Sequence, residues 1–385
     1  MKIILHKPVV VSQAPPHIRN WGPWQFPLIH KLENGRLLIE FHREADSATA
    51  YGLPPGQAIS DDNGITWHEI SPPNLIAGLK LPDGSYLRAI QKQSIPAKNL
   101  SLPSPLAFVQ SSYVTYTYYK RSELPPELQK GWFFLRRLPG SDSWHEEQAQ
   151  VELPDEIAYT TENVFVFPFF EHDRIHVAHD GRLVATLYGS PQIAQGRIIV
   201  RRFLAMFVES LDNGKTWRMK SAIPYYPDIK KDPLWDARDG FSEPQIAFMP
   251  DGSIMMLLRT NDGNGNGPMY VARSKDNGIT WSKPHVFDSL GVWPQLLVLK
   301  NNVTIISYGR PGLYLRASED PSGQKWTRKI TIVKPDKTST NTCSYSDLIQ
   351  LEDNSALIVY SDFNWPDQSG RPCKSIMTRR IEIIK

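Results

Sequence analysis

The sequence predicts an all-β fold in which one four-stranded antiparallel unit is repeated around a common axis. Helical periodicity is hard to find, and short runs of Val, Ile, Leu, Tyr and Phe alternate with Asp-Gly or Asn-Gly turns. Such runs are typical of strands joined by hairpins. Two phrases also recur along the chain, and four strands alone cannot bury both faces of their sheet. Six such units packed radially form a six-bladed β-propeller, so we expect residues 1–385 to form a single domain of this kind.

The first recurring phrase is Ser-x-Asp-Asn-Gly-x-Thr-Trp, the Asp-box, at residues 60–67, 210–217 and 274–281. Asp and Asn side chains bond to nearby backbone and Gly tolerates a positive φ, so the octamer predicts a hairpin turn. Its Trp would anchor the turn to the sheet. A decayed copy runs from Ser318 to Trp326. We interpret all of these as structural turns on the outer side of the blades, remote from any chemistry.

The second phrase is an apolar strand, a turn and another apolar strand, and its six turns lie at 34–35, 83–84, 180–181, 251–252, 301–302 and 353–354. They place the blades near residues 20–71, 75–153, 160–224, 240–288, 292–334 and 342–385. The opening run 2–11 lies outside these blades and ends in three valines, so we expect it to pair with the last blade and close the ring. An insertion at 91–111 is either a surface loop or a rim over the axial site.

Composition excludes several classes of function. A net charge of +3 without any Lys/Arg-rich run argues against nucleic acid as a partner. No apolar stretch approaches the ~18 residues of a membrane span, and two cysteines imply no disulfide framework. We expect a cytoplasmic protein, or a secreted or periplasmic one if a signal peptide was removed. Nothing in the sequence predicts an oligomeric state.

Neither a metal nor another cofactor is expected from the histidines near the inner strands. No metal-ligand spacing stands out among them, although a His-based lyase or hydrolase is conceivable. These histidines are His42, His172, His176 and His179.

Charged residues at the ends of the inner strands would meet at the axis of such a fold. Glu243 precedes the fourth phrase and Arg259 follows it, Arg310 follows the fifth, and Tyr345 opens the sixth. Guanidinium groups bind carboxylates with two parallel hydrogen bonds, which predicts an acidic substrate. A Tyr becomes a nucleophile when a carboxylate takes its proton, and Glu243 is the candidate for that base.

Glycoside hydrolysis also needs a proton donor on the leaving-group side. Asp46, which follows the first inner strand together with Arg43, is the candidate, with Glu44 and Asp239 as alternatives. A purely structural interpretation of these residues stays open, in which Glu243 and Arg259 form an ion pair and Tyr345 is a core side chain.

At these residues the chain resembles the sialidase (neuraminidase) superfamily. The resemblance rests on the Asp-boxes, the phrase from Glu243-Pro244-Gln245 through Asp251-Gly252 to Arg259, the pair Tyr345-Ser346, and Gly309-Arg310 with Leu313-Tyr314. It covers essentially the whole chain. It implies a retaining exo-glycosidase in which Tyr345 is the nucleophile and Arg259 and Arg310 bind the substrate carboxylate.

One departure from that family concerns its first-blade Arg-Ile-Pro, which here is Gln25-Phe26-Pro27. Arg19 or Arg43 would have to supply the missing charge. The substrate is then a sialic acid, a uronic acid or a related keto-acid. The remaining hypotheses are a polysaccharide lyase, another exo-glycosidase, and a non-catalytic propeller that binds glycans.

Overall fold

The computed structural model describes residues 1–110, 114–153, 157–168, 174–189, 193–194, 197–198, 202–261, 266–336, 341–351 and 355–384. Within these residues the regular structure is almost entirely β-strand, which confirms the all-β prediction. The helical segments described are 3-10 turns at Ala48–Ala50, Ala97–Asn99, Arg121–Glu123 and Trp235–Ala237. His172 and the turn predicted at 353–354 lie outside the described residues.

Sheets 1 to 3 contain four antiparallel strands each, hydrogen bonded in chain order. Sheet 1 consists of Gln25–Lys31, Leu37–His42, Gly56–Ser60 and His68–Ile70. Sheet 2 consists of Leu79–Lys80, Tyr86–Ile90, Phe133–Arg137 and Trp144–Gln148. Sheet 3 consists of Ile175–Val177, Leu183–Gly189, Leu204–Ser210 and Thr216–Ile223, and its last strand also pairs in parallel with Gln150–Glu152.

Sheets 4 and 5 repeat this order, and sheet 6 takes its outer strands from the N-terminus. Sheet 4 consists of Phe241–Phe248, Ile254–Thr260, Met269–Ser274 and His285–Asp288. Sheet 5 consists of Val292–Val298, Thr304–Gly309, Leu313–Ser318 and Ile330–Val333. Sheet 6 consists of Ser346–Gln350, Ala356–Pro366 and Pro372–Ile384, with Lys2–Leu5 and Val9–Gln13 both paired to the last of these. The predicted pairing of the opening run with the last unit is therefore confirmed.

A further sheet was not anticipated by the sequence. It has the order Ala107–Gln110, Thr115–Lys120, Ile157–Thr161, Val164–Val166 and Ile95–Pro96, and we call it the added sheet. It uses both ends of the insertion at 91–111, Ile95–Pro96 and Ala107–Gln110, and also the segment that was predicted to open the third unit near residue 160. Sheet 3 instead begins at Ile175. A separate short hairpin pairs Ile193–Ala194 with Arg197–Ile198.

The Asp-boxes join the third and fourth strands of sheets 1, 3 and 4, as the outer-turn prediction requires. In the third copy, Ser274 Oγ accepts the Gly278 N–H at 2.8 Å and Asp276 Oδ1 accepts the Thr280 N–H at 2.9 Å. Asn277 and Gly278 both have positive φ, 57° and 80°. The Asx-type hydrogen bonds and the left-handed pair together fix this turn.

The glycine of each Asp-box also packs against a neighbouring sheet. For Gly214 and Gly278 this is the preceding sheet in the chain, and for Gly64 it is sheet 6. A Cβ on Gly64 would lie 2.6 Å from Leu357 of sheet 6, and one on Gly214 would lie 2.8 Å from Leu87 of sheet 2. Gly278 faces the ring of Phe207 in sheet 3 in the same way. The boxes are therefore packing elements between sheets as well as turns.

The first strands of sheets 4, 5, 6 and 1 pack against one another in that order. Arg174, just before sheet 3, donates to Asp347 Oδ1 of sheet 6 at 2.5 Å. Asp347 Oδ2 accepts the Ile29 N–H of sheet 1 at 3.0 Å. Asp347 is 4% exposed, so its carboxylate is buried, and a buried charge is stable when it is paired and hydrogen bonded. Residues at the ends of the first strands are thus brought together.

Candidate active site

A cavity of about 650 Å³ opens where the ends of the first strands meet. Among the residues predicted from the sequence, its lining contains Asp46, Asp239, Glu243, Arg259, Arg310 and Tyr345. The structure thus brings together side chains that are as much as 299 positions apart along the chain, from Asp46 to Tyr345. A concave site with several convergent polar groups is the usual form of a small-ligand site.

Tyr345 and Glu243 form the centre of the cavity. Tyr345 Oη donates to Glu243 Oε1 at 2.5 Å, and Arg259 donates to the same carboxylate oxygen and to Tyr345 Oη, the latter at 3.0 Å. The other carboxylate oxygen, Oε2, accepts the backbone N–H of Trp293 at 2.9 Å. Both oxygens of Glu243 are therefore hydrogen bonded, and the residue is 7% exposed.

The environment of Tyr345 keeps its phenol protonated. Burial and the carboxylate of Glu243 raise the pKa of Tyr345 well above its ordinary value, although Arg259 and Arg310 act in the opposite direction. A protonated phenol is a weak nucleophile, and it needs a base at the moment of attack. The Glu243 carboxylate already accepts its hydrogen bond, so the geometry can perform that transfer.

Three aromatic or acidic side chains reach the centre from equivalent backbone positions. Phe26, Glu243 and Trp293 each precede a proline at a β-bulge in the first strand of their sheet. Their φ angles are 53°, 45° and 51°. The left-handed region is unfavourable for such residues and is found mainly at functional sites, where the surrounding structure holds it.

This repeated position packs Tyr345 between two rings. The Trp293 ring stacks on it with centroids 4.5 Å apart, and the Phe26 ring meets it edge-on at 4.7 Å. The phenol therefore has a fixed orientation towards the cavity. The sequence signal that would have found Phe26 and Trp293 is the shared residue before proline in phrases one, four and five.

Arg310 is the second cation at the centre. Its guanidinium donates to the Cys343 carbonyl at 2.6 Å and lies 5.0 Å from the Trp21 ring centroid. Burial and the adjacent charge of Arg259 lower the pKa of Arg310. A substrate carboxylate placed here would relieve the repulsion between the two guanidinium groups, which favours an anionic ligand.

Asp46 lies on the exposed side of the cavity. Its Oδ2 accepts the Trp21 indole N–H at 2.8 Å. The turn that follows Asp46 is held by Glu162 of the added sheet, whose Oε2 accepts the Ala48 N–H at 2.9 Å. Glu162 also lines the cavity. Sequence reasoning missed it, although Glu162-Asn163, both with positive φ, form the tip of a hairpin.

Three predicted residues lie elsewhere. Arg19 donates to the carbonyls of Phe363 and Pro372 in sheet 6, at 2.9 and 3.1 Å. Arg43 lies over the Trp24 ring at 4.2 Å and lines an adjoining cavity of about 310 Å³ together with Glu44. Gln25 is 1% exposed, and its Oε1 accepts the Gly22 N–H at 3.1 Å. The lining of the main cavity includes none of the three.

Part of the cavity wall is aromatic. Tyr116 and Tyr159 of the added sheet meet edge-on at 5.4 Å, and Phe203 lies 6.1 Å from Tyr116 and 5.7 Å from Tyr188. All four rings line the cavity. These rings come from residues outside the insertion at 91–111, of which Gln91 lines the cavity, so the rim stays a prediction.

Three of the four histidines named above, His42, His176 and His179, lie in the described residues. His42 lines the cavity beside Phe26, at 4.8 Å between ring centroids, while His179 packs on Phe248. Burial lowers the pKa of His176 to about 4. Across the described ranges, no group of three His, Cys, Asp or Glu side chains is placed to hold a metal.

No helix in the described part of the chain is long and apolar enough to cross a membrane.

A family model described as "BNR repeat-like domain" matches residues 140–359, and a "BNR/Asp-box repeat" model matches residues 58–69. The chain belongs to the BNR repeat-like domain family. The Asp-box repeats recognised in the sequence are therefore confirmed. Comparison with curated proteins finds no match.

Solved structures with the same fold include proteins of different activity. A Dyadobacter fermentans protein of unknown function is 19% identical, with a TM-score of 0.67 and 99% of each chain covered. The NanB sialidase from Streptococcus pneumoniae is 16% identical, with a TM-score of 0.53, and 97% of this chain matches 70% of it. An α-L-arabinofuranosidase from Fusarium graminearum is 14% identical, with a TM-score of 0.52 and 97% of each chain covered. At these identities the likeness extends to the fold alone.

Proposed function

We propose that this protein is an exo-acting, retaining glycoside hydrolase of sialidase type that releases a terminal acidic sugar. The observation that carries the proposal is the 2.5 Å hydrogen bond from Tyr345 Oη to Glu243 Oε1 inside the cavity. Residues 1–385 would form a single six-bladed β-propeller whose ring is closed by the N-terminal strands. The cavity then lies at the axis of the propeller.

In the proposed reaction, Tyr345 Oη attacks the anomeric carbon while Glu243 takes the phenol proton. Arg259 donates to Tyr345 Oη at 3.0 Å, so it stabilises the negative charge that develops on that oxygen. A neutral nucleophile suits an acidic sugar, because an anionic one would be repelled by a carboxylate on the reacting carbon. Asp46 protonates the leaving oxygen. In the second step Asp46 takes a proton from water, the water oxygen bonds to the anomeric carbon, and the bond to Tyr345 Oη breaks as Glu243 returns the proton to the phenol.

Arg310, with Arg259 behind it, would bind the substrate carboxylate. Arg19 and Arg43 are engaged elsewhere, and the hydrophobic ring of Phe26 occupies the repeated position in sheet 1. We therefore propose that the carboxylate is held by two guanidinium groups and by the rings around them.

A second candidate is an exo-glycosidase for an uncharged sugar. It is favoured by the position of Arg259, whose guanidinium already binds Glu243 and Tyr345, and by the aromatic wall, on which a sugar face can stack. The Arg310→Met variant separates the two candidates. It should raise KM for an anionic sugar by about 10-fold or more, as expected for a lost charge-assisted bond, and change KM for a neutral sugar little.

The proposal is tested with aryl α-glycosides of sialic acid, its deaminated analogue, uronic acids and L-arabinofuranose. Tyr345→Phe should lose at least about 1,000-fold in kcat on the active member, as is usual for loss of a nucleophile, and it should still bind the sugar. Tyr314→Phe, a tyrosine of sheet 5 outside the cavity lining, serves as the matched control.

A fluorinated glycosyl fluoride of the active sugar should form a covalent adduct on the peptide that contains Tyr345, detected by mass spectrometry. Wild-type turnover in Tyr345→Phe, or an adduct on another residue, would contradict the mechanism. Ultraviolet absorption from an unsaturated uronate would identify a lyase instead. Glycan binding without hydrolysis of any member would identify a non-catalytic propeller.

A further inference from the structure

The indole of Trp21 lies between the two ends of the candidate site. Its Nε1–H donates to Asp46 Oδ2 at 2.8 Å, while the same ring lies under the Arg310 guanidinium at 5.0 Å. Phe26 and Phe363 meet the ring edge-on, both at 6.1 Å. One side chain thus contacts the candidate acid and a candidate substrate arginine at once.

The backbone beside Trp21 is fitted to the backbone of the Asp46 segment. Gly22 has φ 114°, and a Cβ there would lie 2.5 Å from the Glu44 carbonyl oxygen and 2.6 Å from the Ala45 carbonyl carbon. It would also collide with the Asp46 amide. Real Cβ atoms do not approach backbone so closely, so a residue without a Cβ is required. The loop that carries Trp21 therefore fixes the position of the segment that carries Asp46.

We propose that Trp21 is a positioning residue for Asp46 that selects which carboxylate oxygen delivers the proton; this rests on the proposed function of the site. An indole N–H can donate but cannot accept. Oδ2 is therefore held as the accepting oxygen, and the proton of the acid resides on Oδ1.

The proton balance of the step is complete. As the bond from the anomeric carbon to the leaving oxygen breaks, Oδ1–H passes its proton to that oxygen and Asp46 becomes a carboxylate. The bond from Trp21 is then charge-assisted and stronger than before, so it favours the transfer. The new bond from the anomeric carbon goes to Tyr345 Oη, and the phenol proton goes to Glu243.

The consequence is a dependence on the leaving group. An alkyl leaving group requires protonation, whereas an activated aryl leaving group departs as a stable anion. Trp21→Phe keeps a ring beside Arg310 but removes the N–H. We expect kcat/KM to fall about 10- to 100-fold for the alkyl substrate, the range for a hydrogen bond to a charged group. For the aryl substrate we expect a fall of less than about 3-fold.

The first experiment compares 4-methylumbelliferyl α-sialoside with sialyllactose, or matched 4-nitrophenyl and methyl α-L-arabinofuranosides if the panel identifies that sugar. Gly22→Ala should show the same selective loss as Trp21→Phe, because it displaces the loop. Trp235→Phe is the control, since Trp235 also lies beside an arginine, with Arg202 5.8 Å from its ring, but outside the cavity lining. Equal losses on both substrates, or no loss on the alkyl substrate, would overturn the proposal.

The second experiment does not depend on activity. In protein labelled with ¹⁵N at tryptophan, the indole resonance missing from Trp21→Phe is assigned to Trp21, and its shift is followed from pH 3 to 8. It should titrate in the wild-type protein and be constant in Asp46→Asn. A resonance that is the same in both would overturn the inference. Full activity of Tyr345→Phe would instead overturn the proposed function while leaving this titration intact.

Discussion

Gly278→Ala is expected to destabilise the protein through two separable effects. The residue has φ 80°, and a left-handed conformation costs an L-residue with a Cβ about 1–2 kcal/mol. The new methyl group would also meet the Phe207 ring, whose Cδ1 lies 2.6 Å from the Cβ position. Phe207 is 1% exposed and packs on Trp281 at 5.6 Å, so its ring has no free space to enter. Overpacking of this kind costs about 1–3 kcal/mol more.

Gly252→Ala is the matched control, because Gly252 has φ 84° and nothing lies within 4 Å of its Cβ position. It should lose about 1–2 kcal/mol from the backbone effect alone. The free energies of unfolding of both variants are measured by urea titration with far-ultraviolet circular dichroism. We expect Gly278→Ala to lose about 1–3 kcal/mol more than the control. Equal losses would refute the conclusion that the Asp-box packs sheet 4 against sheet 3.

Three further predictions concern two buried charges and the packing of Tyr345, the proposed nucleophile. Burial acts to raise the pKa of Glu40, but Arg88 beside it holds that pKa well below its usual value. Arg88→Met should therefore cost about 3–5 kcal/mol at pH 7, and urea titrations at falling pH should show the difference shrinking as the carboxyl becomes protonated. Burial lowers the pKa of Lys374 from 10.5 to about 8. The folded state then binds fewer protons than the unfolded state between these values, so wild-type stability relative to Lys374→Met should rise as pH rises from about 8 to 10.5; a flat difference would contradict the assignment. Trp293→Leu should lower kcat about 10-fold by loosening Tyr345, since an aromatic pair contributes about 0.5–1.5 kcal/mol, and steady-state kinetics on the active aryl glycoside would measure it.

The sequence predicted the strand pattern because alternating apolar runs and Asp-Gly or Asn-Gly turns are local signals. Turns at Gly35, Gly84, Gly181 and Gly252 all adopt positive φ. The pairing of Lys2–Leu5 with the last strand was also predictable, because an apolar run without a partner in its own unit needs one elsewhere. The added sheet was not predictable. It pairs Thr115–Lys120 with Ile157–Thr161, two strands that are separated in the chain by two strands of sheet 2, and that pairing has no local signal.

The residues at the centre of the candidate site were predicted by the same reasoning, whereas the residues around them were not. Glu243, Arg259 and Tyr345 were found because they flank recurring phrases, and equivalent positions of the repeat line one cavity. Trp21 lies in an irregular loop before sheet 1, and Glu162 lies at a hairpin tip of the added sheet. Neither belongs to a repeat. Side chains from irregular segments reach a site through packing, which a single sequence does not encode locally.

The position before proline in sheets 1, 4 and 5 has the same backbone conformation but carries a different side chain in each sheet. The backbone there is the same in all three sheets, with a bulge and a positive φ, while the side chain is Phe26, Glu243 or Trp293. The chemistry presented to Tyr345 is therefore decided by one side chain per sheet, with no change in the path of the main chain. A single exchange such as Phe26→Arg would add a positive charge beside Tyr345 without a new path of the main chain, so under the proposed function substrate preference would change in steps of one residue.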